Sequence, residues 1–236
     1  MKPYAGKQLW IWELQNCIHG DPVALCKAAN VLGLSGLIVK AWDGGNYWLQ
    51  FGKIIAAAHK AGLLVGAWGY SYGREIPGEV RAMTRALQAG ADWFVIDAEI
   101  EYEALGGQRR AQALLDAISA SRVSNATIGY STFDLPEMHP DFPYETFSQR
   151  CHVCMPQVYW AERKQDPAVG LHNSLAQCAR YGLPFAPTGD AYGASTPEQI
   201  KAFGLAAKAA GLPGISFWSW QHATAGMLDA IKGIQI

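Results

Sequence analysis

The chain has 236 residues, of which 50% are hydrophobic and 17% charged, and its formal net charge is -1. This balance is typical of a globular protein with a substantial core, and it lacks the basic excess that would indicate a nucleic acid or an anionic membrane surface as a partner. No segment has the length and apolar character of a secretory signal or a membrane span. We therefore expect the protein, as encoded, to be cytoplasmic, with release or association with a virion as alternatives if it acts on a cell wall.

Eight short apolar runs, each followed by a break and then by a helical pattern, predict eight strands. The runs are residues 8–14, 36–42, 63–70, 92–99, 126–132, 152–160, 184–192 and 214–220. Several of the helical patterns end in Ala-Gly or Tyr-Gly just before the next run, and glycine there is the usual C-terminal cap of a helix.

This alternation predicts the α/β class, as a single (β/α)8 TIM-type barrel over residues 1–236. An open, doubly wound sheet is the alternative. Such a sheet favours a Gly-rich phosphate loop after its first strand, and neither GxGxxG nor GxxxxGK[ST] occurs in the sequence.

The five cysteines are an odd number in a chain large enough to fold without disulfides, so we expect reduced thiols. Cys151 and Cys154 have the spacing of half a zinc site, but no second pair of ligands accompanies them. We therefore expect these thiols to pack in the core, and we expect neither a metal nor a cofactor.

The fourth run, with the residues that follow it, contains the stretch FVIDAEIEYE, which places a carboxylate at every second position. The four acids are Asp97, Glu99, Glu101 and Glu103. On an antiparallel edge strand they would form a solvated face. In a parallel barrel, one face of each strand is covered by helices and the other by the barrel interior.

The barrel prediction therefore assigns a direction to each residue of this strand. The alternate residues at 94, 96 and 98 should face the helices, and Val95 should fill the barrel. Asp97 and Glu99 should then point inward at the C-terminal mouth, where barrel enzymes place their catalytic groups. We expect Glu101 and Glu103 to lie on the rim in solvent.

Aromatic and polar residues occur at or near the end of almost every predicted strand. We predict that the following bind substrate: Glu13, Trp42, Asp43, Trp68, Tyr70, Tyr130, Gln157, Tyr159, Asp190, Trp218, Trp220 and Gln221. Aromatic rings around a rim with acids at its centre favour pyranose rings, whose C–H faces are apolar and whose hydroxyls need polar partners. For each single tryptophan, packing within the barrel is the alternative.

An Asp-x-Glu at the end of strand four of such a barrel resembles the family-25 glycoside hydrolases, lysozymes that cleave peptidoglycan. FVIDAE matches that motif at Asp97 and Glu99, and the final run is similar to the family's Trp-Gln-Tyr ending at Trp220 and Gln221, with His222 in place of tyrosine. That family begins its first strand with an aspartate, where this chain has Trp-Glu-Leu and Glu13 could substitute.

The same motif resembles family-18 chitinases, which also carry Met-x-Tyr on strand six and a tryptophan on strand eight. Met155-Pro-Gln-Val-Tyr159 is a looser form of the former, and Trp218 or Trp220 could be the latter. Two further aspartates of the chitinase signature are not reproduced by Val95 and Ala91–Asp92.

Both resemblances imply a hydrolase acting on N-acetylhexosamine polymers, peptidoglycan or chitin-like, with Glu99 as a general acid of raised pKa. In both families the acetamido oxygen of the substrate is thought to attack the anomeric carbon. Asp97 would then orient the acetamido group, and Tyr159 could donate a hydrogen bond to it. A conventional nucleophile, Asp190 facing Glu99 across the mouth, is the alternative.

Two other functional classes are compatible with the sequence. One is a carbohydrate-binding or structural barrel, for example virion-associated, that has lost catalysis. The other is a barrel hydrolase in which Asp43, Asp97, Glu99 and Asp190 bind a metal. The expected partner is a polysaccharide, as for an endolysin, and not a nucleic acid or a membrane.

Overall fold

The computed structural model describes residues 2–236 and contains eight parallel strands that close into a barrel. Strands are β1 Gly6–Ile11, β2 Gly36–Asp43, β3 Asn46–Tyr47, β4 Leu64–Ser71, β5 Trp93–Ala98, β6 Thr127–Phe133, β7 Val153–Val158, β8 Thr188–Asp190 and β9 Gly214–Trp218. The barrel order is β1-β2-β4-β5-β6-β7-β8-β9, with β9 pairing back to β1, whereas β3 is a two-residue antiparallel addition to β2. The predicted (β/α)8 barrel is confirmed.

Helices follow the strands, and the longer ones cover the outside of the barrel. They are α1 Pro22–Val31, α2 Gln50–Lys60, α3 Ile76–Ala89, α4 Ile100–Glu103, α5 Gly107–Ser119, α6 Tyr144–Ser148, α7 Trp160–Arg163, α8 Pro167–Cys178, α9 Pro197–Ala209 and α10 Ala225–Gly233. Within residues 2–236, no helix combines the length and the apolar character that crossing a membrane requires.

Several helix starts are determined by local sequence. Asp21 and Asp166 each precede a proline and accept backbone N–H groups of the first turns of α1 and α8. Thr196 and Gln199 form a reciprocal capping box at the start of α9. These caps satisfy N–H groups that have no partner within the helix, and proline fits the first helical position because it lacks an N–H.

Two separate hydrophobic cores result from the alternation along the strands. The barrel interior contains Trp10, Ile38, Trp68, Trp93, Val95, Val153 and Met155, together with Tyr4 and Ala186. A much larger outer core lies between barrel and helices and includes Phe94, Ile96 and Ala98 of β5. The strand that carries the acidic motif therefore has the register expected from the sequence.

Five of the eight predicted runs are longer than the strands that they form, and the seventh run differs most. Run 184–192 forms only the three residues of β8, preceded by a single bridge from Phe185 to Cys154. Pro184 and Pro187 lack the N–H that a ladder requires, which restricts regular pairing there. Run 8–14 begins two residues earlier than predicted and ends at Ile11, because Leu14 opens a 3-10 turn.

Three residues predicted to bind substrate lie instead in the outer core, so these predictions are wrong. Trp42, Tyr130 and Trp220 have exposed fractions of 1%, 0% and 5%. A register shift between Lys40 and Trp42 turns the Trp42 ring toward the helices, where it packs over Gly69; a Cβ at Gly69 would lie 2.2 Å from the ring.

Tyr130 and Trp220 are in the outer core for different reasons. Tyr130 is paired with the outward-facing Ile96, so both side chains point toward the helices, and its hydroxyl shares a hydrogen bond with Ser148. Trp220 begins a 3-10 turn after the end of β9, and its ring packs in the outer core. An aromatic residue near a strand end can face either the barrel interior or the helices, and its presence there does not indicate which.

The assignment of Trp42 to the core can be tested by stability. We expect Trp42→Ala to lower the free energy of unfolding by about 3–5 kcal/mol, since a large buried ring is removed and a cavity remains. Urea unfolding followed by circular dichroism would measure this. Trp12→Ala is the matched control because Trp12 is 37% exposed, and its loss should be far smaller. Equal stability of the Trp42 and Trp12 variants would contradict the assignment.

Candidate active site

An open cavity of about 490 Å³ lies at the C-terminal ends of the strands. Five of the predicted site residues line it: Asp97, Glu99, Gln157, Tyr159 and Trp218. Both acids of the Asp-x-Glu motif therefore face the same space, as the inward register of β5 requires. This cavity is the candidate active site, and we call it the cleft.

The two acids are joined through one amide. Nε2 of Gln157 donates to Oδ1 of Asp97 over 3.1 Å and to Oε1 of Glu99 over 2.8 Å. The same nitrogen lies 3.3 Å from Oγ of Ser131. A neutral donor between two carboxylates reduces their repulsion and fixes their relative position.

Asp97 is the deeper of the two acids, with an exposed fraction of 7%. Burial raises its pKa well above the ordinary value, and the adjacent negative charge of Glu99 raises it further. The ammonium of Lys40 and the amide of Gln157 act in the opposite direction. The net rise favours a protonated Asp97 beside Glu99, the arrangement expected when two carboxyls share a poorly solvated site.

Lys40 places a cation within the barrel near this pair. Its Nζ lies 4.5 Å from the ring centroid of Trp68, 5.0 Å from that of Trp48 and 2.6 Å from Oδ2 of Asp43. Asp43 also accepts a hydrogen bond from the hydroxyl of Tyr72 over 2.9 Å. Asp43, predicted to bind substrate, does not line the cleft and is instead the partner of the buried ammonium.

The floor of the cleft is made of tryptophans in edge-to-face contact. The ring centroids of Trp10, Trp68 and Trp218 lie 5.3–5.8 Å apart. Trp10 and Trp218 reach the cleft, whereas Trp68 packs behind them and donates from Nε1 to the carbonyl of Ile11 over 3.0 Å. Trp218 thus has the exposed aromatic face that was predicted, and Trp68 supports it.

One side of the cleft is formed by residues 159–163, which we call the wall segment, together with Tyr192. The rings of Tyr159 and Tyr192 meet edge to face at 5.5 Å, and the Tyr192 hydroxyl donates to Glu162. Arg163 forms an ion pair with Asp134, with Nη1 3.1 Å from Oδ2. Burial, followed by the charge of Asp97, raises the pKa of the Tyr159 phenol, which therefore remains a hydrogen-bond donor.

Glu13, Gln221 and Tyr70, also predicted to bind substrate, lie outside the cleft. Oε1 of Gln221 accepts the backbone N–H groups of Trp12 over 3.1 Å and of Glu13 over 2.8 Å. Gln221 therefore ties the end of β9 to the end of β1. The Glu13 carboxylate is hydrogen-bonded by Asn16.

The two outer acids of the motif are paired, which corrects the expectation of free rim charges. Tyr70 donates from its hydroxyl to Oε2 of Glu101 over 2.6 Å. Glu103 lies 2.9 Å from Nδ1 of His139, with 16% of its side chain exposed. Both acids belong to α4, so this one-turn helix is held against the barrel by their contacts.

Asp190 is fully buried and does not line the cleft. Its Oδ2 accepts the backbone N–H of Ala161 over 2.7 Å, and its Oδ1 has no hydrogen-bond partner. Burial raises the pKa of Asp190 to about 7, with the Ala161 N–H opposing. The prediction that Asp190 binds substrate is therefore wrong, because the strand end carrying it is covered by the wall segment.

The metal alternative required Asp43, Asp97, Glu99 and Asp190 to converge. Among residues 2–236, no three His, Cys, Asp or Glu side chains are grouped as metal ligands would be. Asp43 and Asp190 are each engaged by other partners, as described above. The four acids named for this alternative therefore do not converge on one point.

Several residues that line the cleft were not among the predicted site residues: Trp10, Ser131, Phe133, Asp134, Glu162, Arg163 and Tyr192. Ser131 and Trp10 could have been found from strand parity, since Ser131 pairs with Asp97 and Trp10 alternates with the outer-core Leu9 and Ile11. Glu162 and Arg163 follow a strand end within a turn whose path no sequence pattern indicated.

No family model matches the sequence, and no curated protein matches it in sequence. Several solved structures match the fold. A class V chitinase from Nicotiana tobaccum has a TM-score of 0.75 at 8% identity, with 98% of this chain and 100% of that chain covered. The spore cortex-lytic enzyme SleL of Bacillus megaterium QM B1551 has a TM-score of 0.73 at 10% identity, with 98% and 74% covered. A chitinase from Chromobacterium violaceum ATCC 12472 has a TM-score of 0.70 at 10% identity, with 97% and 98% covered.

These likenesses extend over nearly all of this chain and are therefore likenesses of the whole barrel. At such low identity they establish a common fold. Two of the three are named as chitinases and one as a spore cortex-lytic enzyme, and none of the three is named as a family-25 lysozyme.

The influence of Lys40 on Asp97 can be measured. We expect Lys40→Met to raise the pKa of Asp97 further, because the ammonium that opposes the rise is removed. Carbon-13 NMR titration of the aspartate carboxyls would record it. Lys53→Met, at an exposed position on α2, controls for the loss of a surface charge. An unchanged or lower pKa of Asp97 in the Lys40 variant would contradict this electrostatic account.

The raised pKa of Asp190 predicts a pH-dependent stability. Between about pH 4 and pH 7 the folded state binds a proton here that the unfolded chain has lost, so folding weakens as pH rises through this window. The Asn variant lacks this proton, so its free energy of unfolding does not fall in the same way. The difference in free energy of unfolding between Asp190→Asn and wild type should therefore shift in favour of the variant by up to about 4 kcal/mol between pH 4 and pH 8.

Urea unfolding at pH 4, 6 and 8 would show the trend for Asp190. The control is Asp229→Asn at an exposed position on α10. A difference between the Asp190 variant and wild type that stays constant across these pH values would contradict the prediction.

Proposed function

We propose that this protein is a glycoside hydrolase that cleaves polysaccharides containing N-acetylhexosamine, chitin-like or peptidoglycan. The observation that carries the proposal is the carboxyl pair of Asp97 and Glu99, bridged by Gln157 above an aromatic floor. Apolar ring faces beside carboxyls and an amide match the two surfaces of a pyranose.

The spacing of the acids indicates how they would act. Residues i and i+2 of a strand are roughly 6–7 Å apart at Cα and project to the same side, so Asp97 and Glu99 cannot flank a glycosidic bond from opposite faces. The second reacting group is then supplied by the substrate. Its acetamido oxygen attacks the anomeric carbon while Glu99 gives its proton to the departing glycosidic oxygen.

The remaining steps use the same residues. Before the glycosidic bond breaks, the proton shared by the pair passes from Asp97 to Glu99. The Asp97 carboxylate then orients the acetamido group and stabilises the positive charge that develops on it. Tyr159 donates a hydrogen bond to that group. Glu99, now a carboxylate, accepts a proton from the water that opens the cyclic intermediate and is thereby restored.

The solved structures with this fold support a polysaccharide substrate, since those described above are named as chitinases and as a spore cortex-lytic enzyme. The buried position of Asp190 supports substrate assistance over a direct nucleophile. Its one hydrogen-bonded oxygen is engaged by the wall segment, and the cleft does not reach it.

A saccharide-binding barrel without catalysis is the second candidate. The position of Glu13 favours it, because the first strand then contributes no carboxylate to the cleft. The aromatic floor and the wall segment would serve binding equally well.

Glu99→Gln separates these candidates, because it preserves shape and removes the proton donor. We expect kcat on N-acetylglucosamine oligomers or purified cell walls to fall by at least about 10²-fold, with KM little changed. Product release and turbidity loss are the measurements.

The matched control is Glu198→Gln at an exposed glutamate on α9, which should behave as wild type. Full activity of the Glu99 variant would exclude Glu99 as the acid. Saccharide binding without turnover by the wild type would favour the second candidate.

A further inference from the structure

The wall segment contributes much of one side of the cleft, yet it has little structure of its own. Tyr159, Glu162 and Arg163 all line the cleft, and the helix α7 within the segment has only four residues. A single helical turn is not stable by itself in water, so its position depends on contacts with the rest of the barrel.

Three side-chain contacts anchor residues of the segment. Arg163 is paired with the fully buried Asp134, and Glu162 accepts from the Tyr192 hydroxyl. Nε1 of Trp160 donates to Oγ of Ser195 over 3.1 Å. Each of these contacts is made by a side chain, and the ring of Trp160 is also fully buried beside Phe203.

The main chain is held by Asp190. Its Oδ2 accepts the N–H of Ala161 over 2.7 Å, at the first turn of α7, where backbone N–H groups have no partner within the helix. The carboxyl reaches this N–H from the end of β8 and has no exposed surface. It is therefore rigidly placed relative to the barrel.

We propose that Asp190 is a positioning residue, which fixes the wall segment through the Ala161 N–H and thereby sets the place of Tyr159 in the cleft. It acts through the segment and does not touch the substrate. The effect on saccharide binding rests on the proposed function, whereas the effect on the segment does not.

Two substitutions distinguish the acceptor role of Asp190 from its charge. Asp190→Asn keeps a carbonyl oxygen for the Ala161 N–H, and Asp190→Ala removes it. We expect hydrogen exchange of the amides of residues 159–164, followed by mass spectrometry, to be about fivefold to tenfold faster in the Ala variant. The Asn variant should exchange like wild type. If the Ala variant does not fold, Asp190→Leu keeps the shape without an acceptor and replaces it.

A second measurement concerns the saccharide. Calorimetry with an N-acetylglucosamine tetramer, in a Glu99→Gln background that prevents turnover, should show binding weakened about fivefold to tenfold by Asp190→Ala and restored by Asp190→Asn. A loss of binding in the Asn variant equal to that in the Ala variant would show that the charge matters and would overturn the proposal.

Hydrogen exchange tests the positioning role of Asp190, and calorimetry tests its effect on saccharide binding. Unchanged exchange in the Ala variant would overturn the positioning role whatever the saccharide does. Faster exchange, with no saccharide binding by any variant including the parent, would sustain the positioning role and count against the proposed function.

Discussion

Two carboxyls two residues apart on one strand face the same cleft, and their mutual repulsion is the constraint around which the barrel mouth is organised. Three features reduce it. The Gln157 amide donates to both groups, the buried ammonium of Lys40 supplies nearby positive charge, and the rise in the pKa of Asp97 favours a proton on the deeper acid. Each feature comes from a different strand, so the acid pair is stable only in the closed barrel that brings those strands together.

Packing and chemistry are linked through the floor of the cleft. The edge-to-face tryptophans pack in the barrel interior, and burial is the largest cause of the rise in the pKa of Asp97. The same surface gives an apolar platform for a sugar ring. Two buried carboxyls, those of Asp134 and Asp190, contact the wall segment. Burial raises the pKa of Asp134 to about 6 and that of Asp190 to about 7. Asp97, Asp134 and Asp190 are thus all held in poorly solvated places.

The alternation of eight apolar runs with helical patterns made the barrel predictable. The alternation of side chains along β5 correctly placed Val95 inward and Phe94 outward. The same alternation predicts that Asp97 and Glu99 point inward at the mouth, because only the mouth of a parallel barrel can accommodate two inward acids. The prediction that Trp42 binds substrate was wrong because a bulge after Lys40 turns its ring toward the helices. No residue pattern indicates that bulge. Arg163 and Glu162 were missed because their location depends on tertiary anchors, above all Asp190, that are distant in sequence.

We propose that the cleft presents Asp97 to the acetamido group and Glu99 to the glycosidic oxygen of one bound saccharide. A crystal structure of the Glu99→Gln variant with an N-acetylglucosamine tetramer tests it most directly. We expect a sugar ring over Trp218, an acetamido group hydrogen-bonded to Asp97, and a glycosidic oxygen about 2.6–3.2 Å from the side chain at position 99. A saccharide bound away from the cleft, or with its acetamido group turned from Asp97, would contradict these roles of Asp97 and Glu99.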